Sequence, residues 1–197
     1  MTTSRRRVAI LISGRGSNMA VLTEAAQAKD YPAEIALVVS NRPDAAGLAL
    51  AARNGIATAI VDHKLFASRE AFDAMLQKTL EQAQIEIVCL AGFMRMLTTP
   101  FVEKWRGRMI NIHPSLLPEF KGLDTHARAL AAGVKVHGCT VHFVVPELDS
   151  GPIILQEKVP VLAGDTEETL ATRVLAAEHR IYPAALRMLT EGKIERI

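Results

Sequence analysis

The sequence predicts an α/β protein: a Rossmann-like, mostly parallel central sheet with helices on both faces and an antiparallel strand pair in the C-terminal half. Three observations predict it. Short apolar runs alternate with stretches of helical spacing from residue 8 to residue 90, the pattern of successive βαβ units. The first run ends in a glycine-rich loop, Ser13-Gly14-Arg15-Gly16-Ser17-Asn18, that opens a helix. Late in the chain, the strand-like stretches 136–145 and 152–159 are separated only by the loop-like 146–151. No crossover helix fits there, so that pair is antiparallel.

Each element follows from its own pattern. Residues 8–12 form a continuous apolar run, as in a strand covered on both faces. A helix follows over about 18–29. Residues 35–39 make the second strand, closed by Ser40-Asn41-Arg42-Pro43. Residues 45–53 read as helix, stopped by Asn54-Gly55, and 57–61 as a short third strand. Residues 68–83 form the next helix, with Phe72, Met75, Leu76 and Leu80 on one face. Strands follow at 86–90 and 108–111, and His126 stands at a helix start. Asp165-Thr166-Glu167-Glu168 has the spacing of a capping box. The helix it opens runs to about residue 181, where Pro183 kinks or restarts it. With no repeat, low-complexity tract or linker, 1–197 reads as one domain.

Bulk properties narrow the class. The 197 residues suffice for a sizeable core, and 49% hydrophobic residues with both charge signs describe a globular chain. A net charge of +2 is too small to argue for a nucleic-acid partner. Arg5-Arg6-Arg7 reads as a solvated tail ahead of the first strand. The two cysteines, Cys89 and Cys139, suggest no disulfide framework. No apolar segment reaches transmembrane length, and the 8–12 run is too short for a signal-peptide core. The expectation is a soluble cytoplasmic protein, with no membrane or nucleic-acid partner, acting on small molecules as a monomer or homodimer.

Two stretches carry chemistry. In the glycine-rich loop, free amides at a helix start suit a phosphate. The dinucleotide fingerprint would need a glycine where Met19 stands, and no Walker lysine follows. A single phosphate monoester therefore fits better than a dinucleotide or a nucleoside triphosphate. The loop also reads as a mere tight turn, with Ser17 or Asn18 capping the helix. The second stretch is Asn111-Ile112-His113-Pro114-Ser115-Leu116-Leu117-Pro118, at a strand end. In an extended segment Asn111 and His113 point to the same side. An amide and an imidazole converging on one point suit the oxyanion of a tetrahedral intermediate, although a lone His before Pro is also an ordinary loop residue. Asp149 is the first choice for a carboxylate to orient the imidazole, yet spacing alone makes it a solvated turn residue. His137 and His142, five apart, fall on opposite faces of a regular strand, and the short-spaced Cys/His pairs of a zinc site are missing, so no metal is expected. Ser115 lacks the glycines of a nucleophile elbow.

Together these motifs resemble the folate-dependent formyltransferase family. The match adds Ser68-Arg69-Glu70-Ala71, Leu90-Ala91-Gly92-Phe93-Met94-Arg95, His137-Gly138, Leu148-Asp149-Ser150-Gly151-Pro152 and Glu178-His179. It runs in order along essentially the whole chain. The glycine-rich loop and Gly122-Leu123-Asp124-Thr125-His126 narrow it to the glycinamide branch. The resemblance implies 10-formyltetrahydrofolate as formyl-donor co-substrate and 5′-phosphoribosylglycinamide as acceptor, in purine synthesis. It implies Asn111, His113 and Asp149 as the catalytic set, and Gly16, Ser17, Asn18 and Glu178 as acceptor contacts. Folate contacts fall on Arg69, Met94, Arg95, Met96, Leu97 and Asn111. Residues 1–100 become the phosphate-binding half and 101–197 the catalytic and folate-binding half. Arg15 stands where a small polar residue is common, and Asp124 where His is common. Formyltetrahydrofolate deformylase is the alternative, with water in place of the amine. It carries an N-terminal regulatory domain for which there is no room before Val8. The methionyl-tRNA branch adds a C-terminal domain and a basic surface, for which +2 is weak charge.

Overall fold

The computed structural model describes residues 5–195 and 197. Its strands are β1 (Arg6–Ile12), β2 (Ala33–Ser40), β3 (Ala57–Ile60), β4 (Ile87–Leu90), β5 (Met109–His113), β6 (Val136–Phe143) and β7 (Ile153–Pro160). Its helices are α1 (Ser17–Gln27), α2 (Ala46–Arg53), α3 (Arg69–Gln82), α4 (Thr99–Lys104), α5 (Thr125–Ala131) and α6 (Glu167–Thr190), with a 3-10 turn at His63–Leu65. One seven-stranded sheet runs in the order β3-β2-β1-β4-β5-β6-β7. The first five of these strands are parallel. β6 is antiparallel to β7, as the short 146–151 connection requires, and antiparallel to β5 as well.

β1 shows why the apolar runs are continuous. Residues 8–12 are fully buried. Val8, Ile10 and Ile12 pack on one face with Met19, Leu22, Val174 and Leu186 from α1 and α6. Ala9 and Leu11 pack on the other with Phe72, Leu76 and Leu80 of α3 and with Phe101 and Trp105. A strand covered on both faces needs apolar residues at every position.

Four expectations are corrected. Arg5-Arg6-Arg7 is not a free tail. Arg6 begins β1 and pairs with Glu86, Arg7 pairs with Glu34 at 2.7 Å, and Arg5 donates to the Ala26 and Ala33 carbonyls. The α6 cap is Thr166, one residue later than the spacing suggested; its side chain exchanges hydrogen bonds with Thr169. Asp165 is instead held by Arg173, whose guanidinium lowers the carboxyl far below its usual range. Nor does Pro183 interrupt α6, which is continuous for 24 residues. Ile181, Tyr182, Ala185 and Leu186 form one buried seam across it, and that packing outweighs the single helical hydrogen bond a proline removes. On α3, Met75 is exposed and Asp73 takes an inward place. α4 has no counterpart in the sequence pattern, because its six residues are too few to show a period.

Candidate active site

β1 and β4 are the neighbours between which the strand order reverses, and open α/β sheets bind ligands at that point, beyond the strand ends. The chain leaves β1 through the glycine-rich loop. Gly16 has φ +78°, and a side chain there would meet the Gly47 Cα at 3.0 Å, so the position is suited to glycine. Gly16 is also the N-cap of α1 and no side chain caps the helix; the alternative in which Ser17 or Asn18 caps it is not what forms. Ser17 and Asn18 occupy the first turn, whose amides have no partner within the helix. The Asn18 amide donates to Glu178 Oε2 at 2.7 Å across 160 residues, while its own Oδ1 is buried without a partner. Burial raises the Glu178 carboxyl above its ordinary range, an effect the Asn18 bond opposes.

Asn111 and His113 lie at the end of β5. His113 is buried, with Nδ1 3.4 Å from Asp149 Oδ2 and Nε2 3.0 Å from the Phe120 carbonyl. Both oxygens come from residues in the left-handed region, Asp149 at φ +46° and Phe120 at φ +52°. Such backbone is costly outside glycine and collects at functional sites. Asp149 is therefore not a solvated turn residue. Its Oδ2 also accepts the Gly122 amide at 2.8 Å, which ties the 146–151 loop to the segment after His113.

His142 belongs to this group as well. Antiparallel register places it opposite Asn111. Its Nδ1 lies 2.8 Å from the Phe143 carbonyl, an acceptor only, so Nδ1 carries the proton. Burial holds the ring's pKa down, and the bare Nε2 faces the Asn111 amide nitrogen at 3.3 Å. Nε2 is also 3.7 Å from Asp149 Oδ1. The amide of Asn111 is thus oriented, with its second N–H left over. No sequence signal marks His142, because its place opposite Asn111 is set by the β5–β6 pairing. His137 instead packs edge-on against Phe120 and His126, and burial pushes it down to about 4.

Asn111, His113, His142 and Asp149 line a cavity of about 650 Å³. Met94, Arg95, Met96 and Leu97 form one wall; residues 144–148 and 122–126 form others, and Glu167 of α6 contributes. Of the expected folate contacts, Met94, Arg95, Met96, Leu97 and Asn111 line this cavity. Arg69, at the start of α3, is exposed and is not among the lining residues. Gly16, Ser17, Asn18 and Glu178 also lie outside this lining. The cavity draws on both halves of the chain, since Leu90 and residues 92–97 belong to the first hundred residues.

The formyl transferase family matches residues 6–186. The chain belongs to that family. It is 45% identical over 188 residues to phosphoribosylglycinamide formyltransferase of Escherichia coli (strain K12), covering 95% of this chain and 89% of that one. It is 52% identical over 191 residues to the human trifunctional purine biosynthetic protein adenosine-3. That match takes in 97% of this chain, which spans only 19% of the length of the human protein. The crystal structure of phosphoribosylglycinamide formyltransferase from Brucella melitensis superposes with a TM-score of 0.92 at 52% identity, over 98% of this chain and all of that one. No helix among the described residues is long and apolar enough to cross a membrane.

Proposed function

We propose that this formyltransferase moves the formyl group of 10-formyltetrahydrofolate to the amine of 5′-phosphoribosylglycinamide, giving the N-formyl product and tetrahydrofolate in purine biosynthesis. The observation that carries the reading is the convergence of Asn111, His113 and Asp149 at one cavity. The names borne by relatives of similar length point the same way. The folate occupies the cavity against the 94–97 wall. The acceptor phosphate sits on the first-turn amides at 16–18, and Glu178 receives its ribose hydroxyls.

In this reading the acceptor amine adds to the formyl carbon and negative charge collects on the formyl oxygen. The second N–H of Asn111, left over after the contact with His142, donates to that oxygen. Asp149 holds Nδ1 of His113, so Nε2 is the edge that turns to the substrate, in exchange for the Phe120 carbonyl. The Asn111 donor, oriented before the charge develops, needs no reorganisation when it does. Collapse breaks the bond from carbon to folate N10. The proton lost by the amine reaches N10 through water, with His113 or Asp149 as relay. No covalent enzyme intermediate is needed. The protein is expected to act in the cytoplasm.

The test is tetrahydrofolate release from 10-formyltetrahydrofolate with and without phosphoribosylglycinamide. Release that requires the acceptor supports transfer. Release at the same rate without it would make the chain a hydrolase.

A further inference from the structure

A hydrogen bond spans the strand-order reversal between β1 and β4. The Met94 amide, in the turn after β4, donates to Ser13 Oγ at 2.8 Å, directly after β1. Ser13 Oγ in turn donates to Asn41 Oδ1 at 2.5 Å. Ser13 and Asn41 are buried polar side chains, at 5% and 3% exposure, so this is an interior connection and not a surface contact. Asn41 follows β2, and its carbonyl accepts from His63 Nδ1 at 2.8 Å.

The direction of these bonds matters. A hydroxyl has one proton and two lone pairs. With the proton committed to Asn41, only lone pairs face the Met94 N–H. Met94 begins the 94–97 wall of the cavity, and the wall is fixed at its other end by the Thr98 amide, which donates to Asp73 Oδ2 at 2.7 Å. Between the two anchors, Arg95 stacks its guanidinium 4.6 Å over the Phe72 ring but leaves Nε buried without a partner. The backbone of the wall therefore depends on its end anchors.

We propose that Ser13, oriented by Asn41, is a positioning residue for the donor cavity, setting where the 94–97 wall stands relative to the reacting end. This rests on the reading that the cavity takes the folate. The glycine loop has separate supports: Gly47 N–H donates to the Gly14 carbonyl and Ala20 N–H to the Gly16 carbonyl. Loss of the Ser13 hydroxyl should thus act on the donor and spare the acceptor.

The experiment measures tetrahydrofolate and phosphoribosylglycinamide dissociation constants for wild type, Ser13→Ala, Ser13→Thr and Asn41→Ala, with thermal unfolding of each. Ser13→Ala should weaken tetrahydrofolate about tenfold, the scale of an unmade bond to a buried amide. Phosphoribosylglycinamide should change less than about twofold, and Ser13→Thr should recover most of the loss. Asn41→Ala reaches the same hydroxyl by another route and should show the same selectivity, which keeps the test open if one variant folds poorly. Unchanged tetrahydrofolate binding in a folded Ser13→Ala protein, or equal weakening of both ligands, would overturn the proposal. Wild type that binds no tetrahydrofolate would instead remove the folate reading, and this inference with it.

Discussion

His113 lies between two oxygens that left-handed backbone at Asp149 and Phe120 brings to it. Asn111 is turned by a neutral His142 so that one amide proton stays available. Replacing Asn111 or His113 with Ala should lower the rate of formyl transfer by about 10²–10³, the range for losing one oxyanion donor. Both substrates should still bind, and single-turnover rates with separate binding titrations check this. Glu178 gives a pH-dependent prediction. Burial raises its carboxyl pKa, so the native chain holds this proton at pH values where the unfolded chain has released it. Stability from this group is therefore lost as pH rises from the ordinary carboxylate range through the raised pKa. Glu178→Gln should flatten that decline in denaturant titrations and be more stable than wild type at neutral pH, while binding phosphoribosylglycinamide more weakly. Asn111 and His113 were legible in the sequence because two positions along an extended segment fix a side. Asp149 was not, because only the folded 146–151 loop brings it to His113; the family resemblance supplied it.

The β6–β7 hairpin shows how an element serves the site. Gly151 closes it, and a side chain there would stand 1.8 Å from the Phe143 carbonyl. Gly151→Ala must displace the connection that carries Asp149. It should cost about 1–3 kcal/mol in chemical denaturation, as overpacking does, and lower turnover as well. His142 escaped notice at this scale. Period-two counting places His137 and His142 on opposite faces but cannot say which neighbour each one meets; the pairing that sets His142 opposite Asn111 exists only in the folded sheet. Pro183 departs from its local expectation for a related reason. Local propensity stops a helix at proline, whereas the buried seam of α6 is a tertiary property.

Across the whole molecule, the parallel half was readable because each βαβ unit writes its pattern locally, in double-sided apolar runs and helical faces. The cavity was only partly readable. Its walls come from the turns after β4 and β5, the start of α5, the 144–149 connection and the first residue of α6, and no single stretch of sequence announces that meeting. The same dispersal joins Asn18 to Glu178 from opposite ends of the chain. In the proposed function these parts together pass a formyl group from a folate to an amine. The most direct measurement follows a labelled formyl carbon, supplied on 10-formyltetrahydrofolate together with phosphoribosylglycinamide. The label should appear on the amine nitrogen of the acceptor as tetrahydrofolate forms. Label recovered as free formate, with the acceptor unchanged, would contradict it.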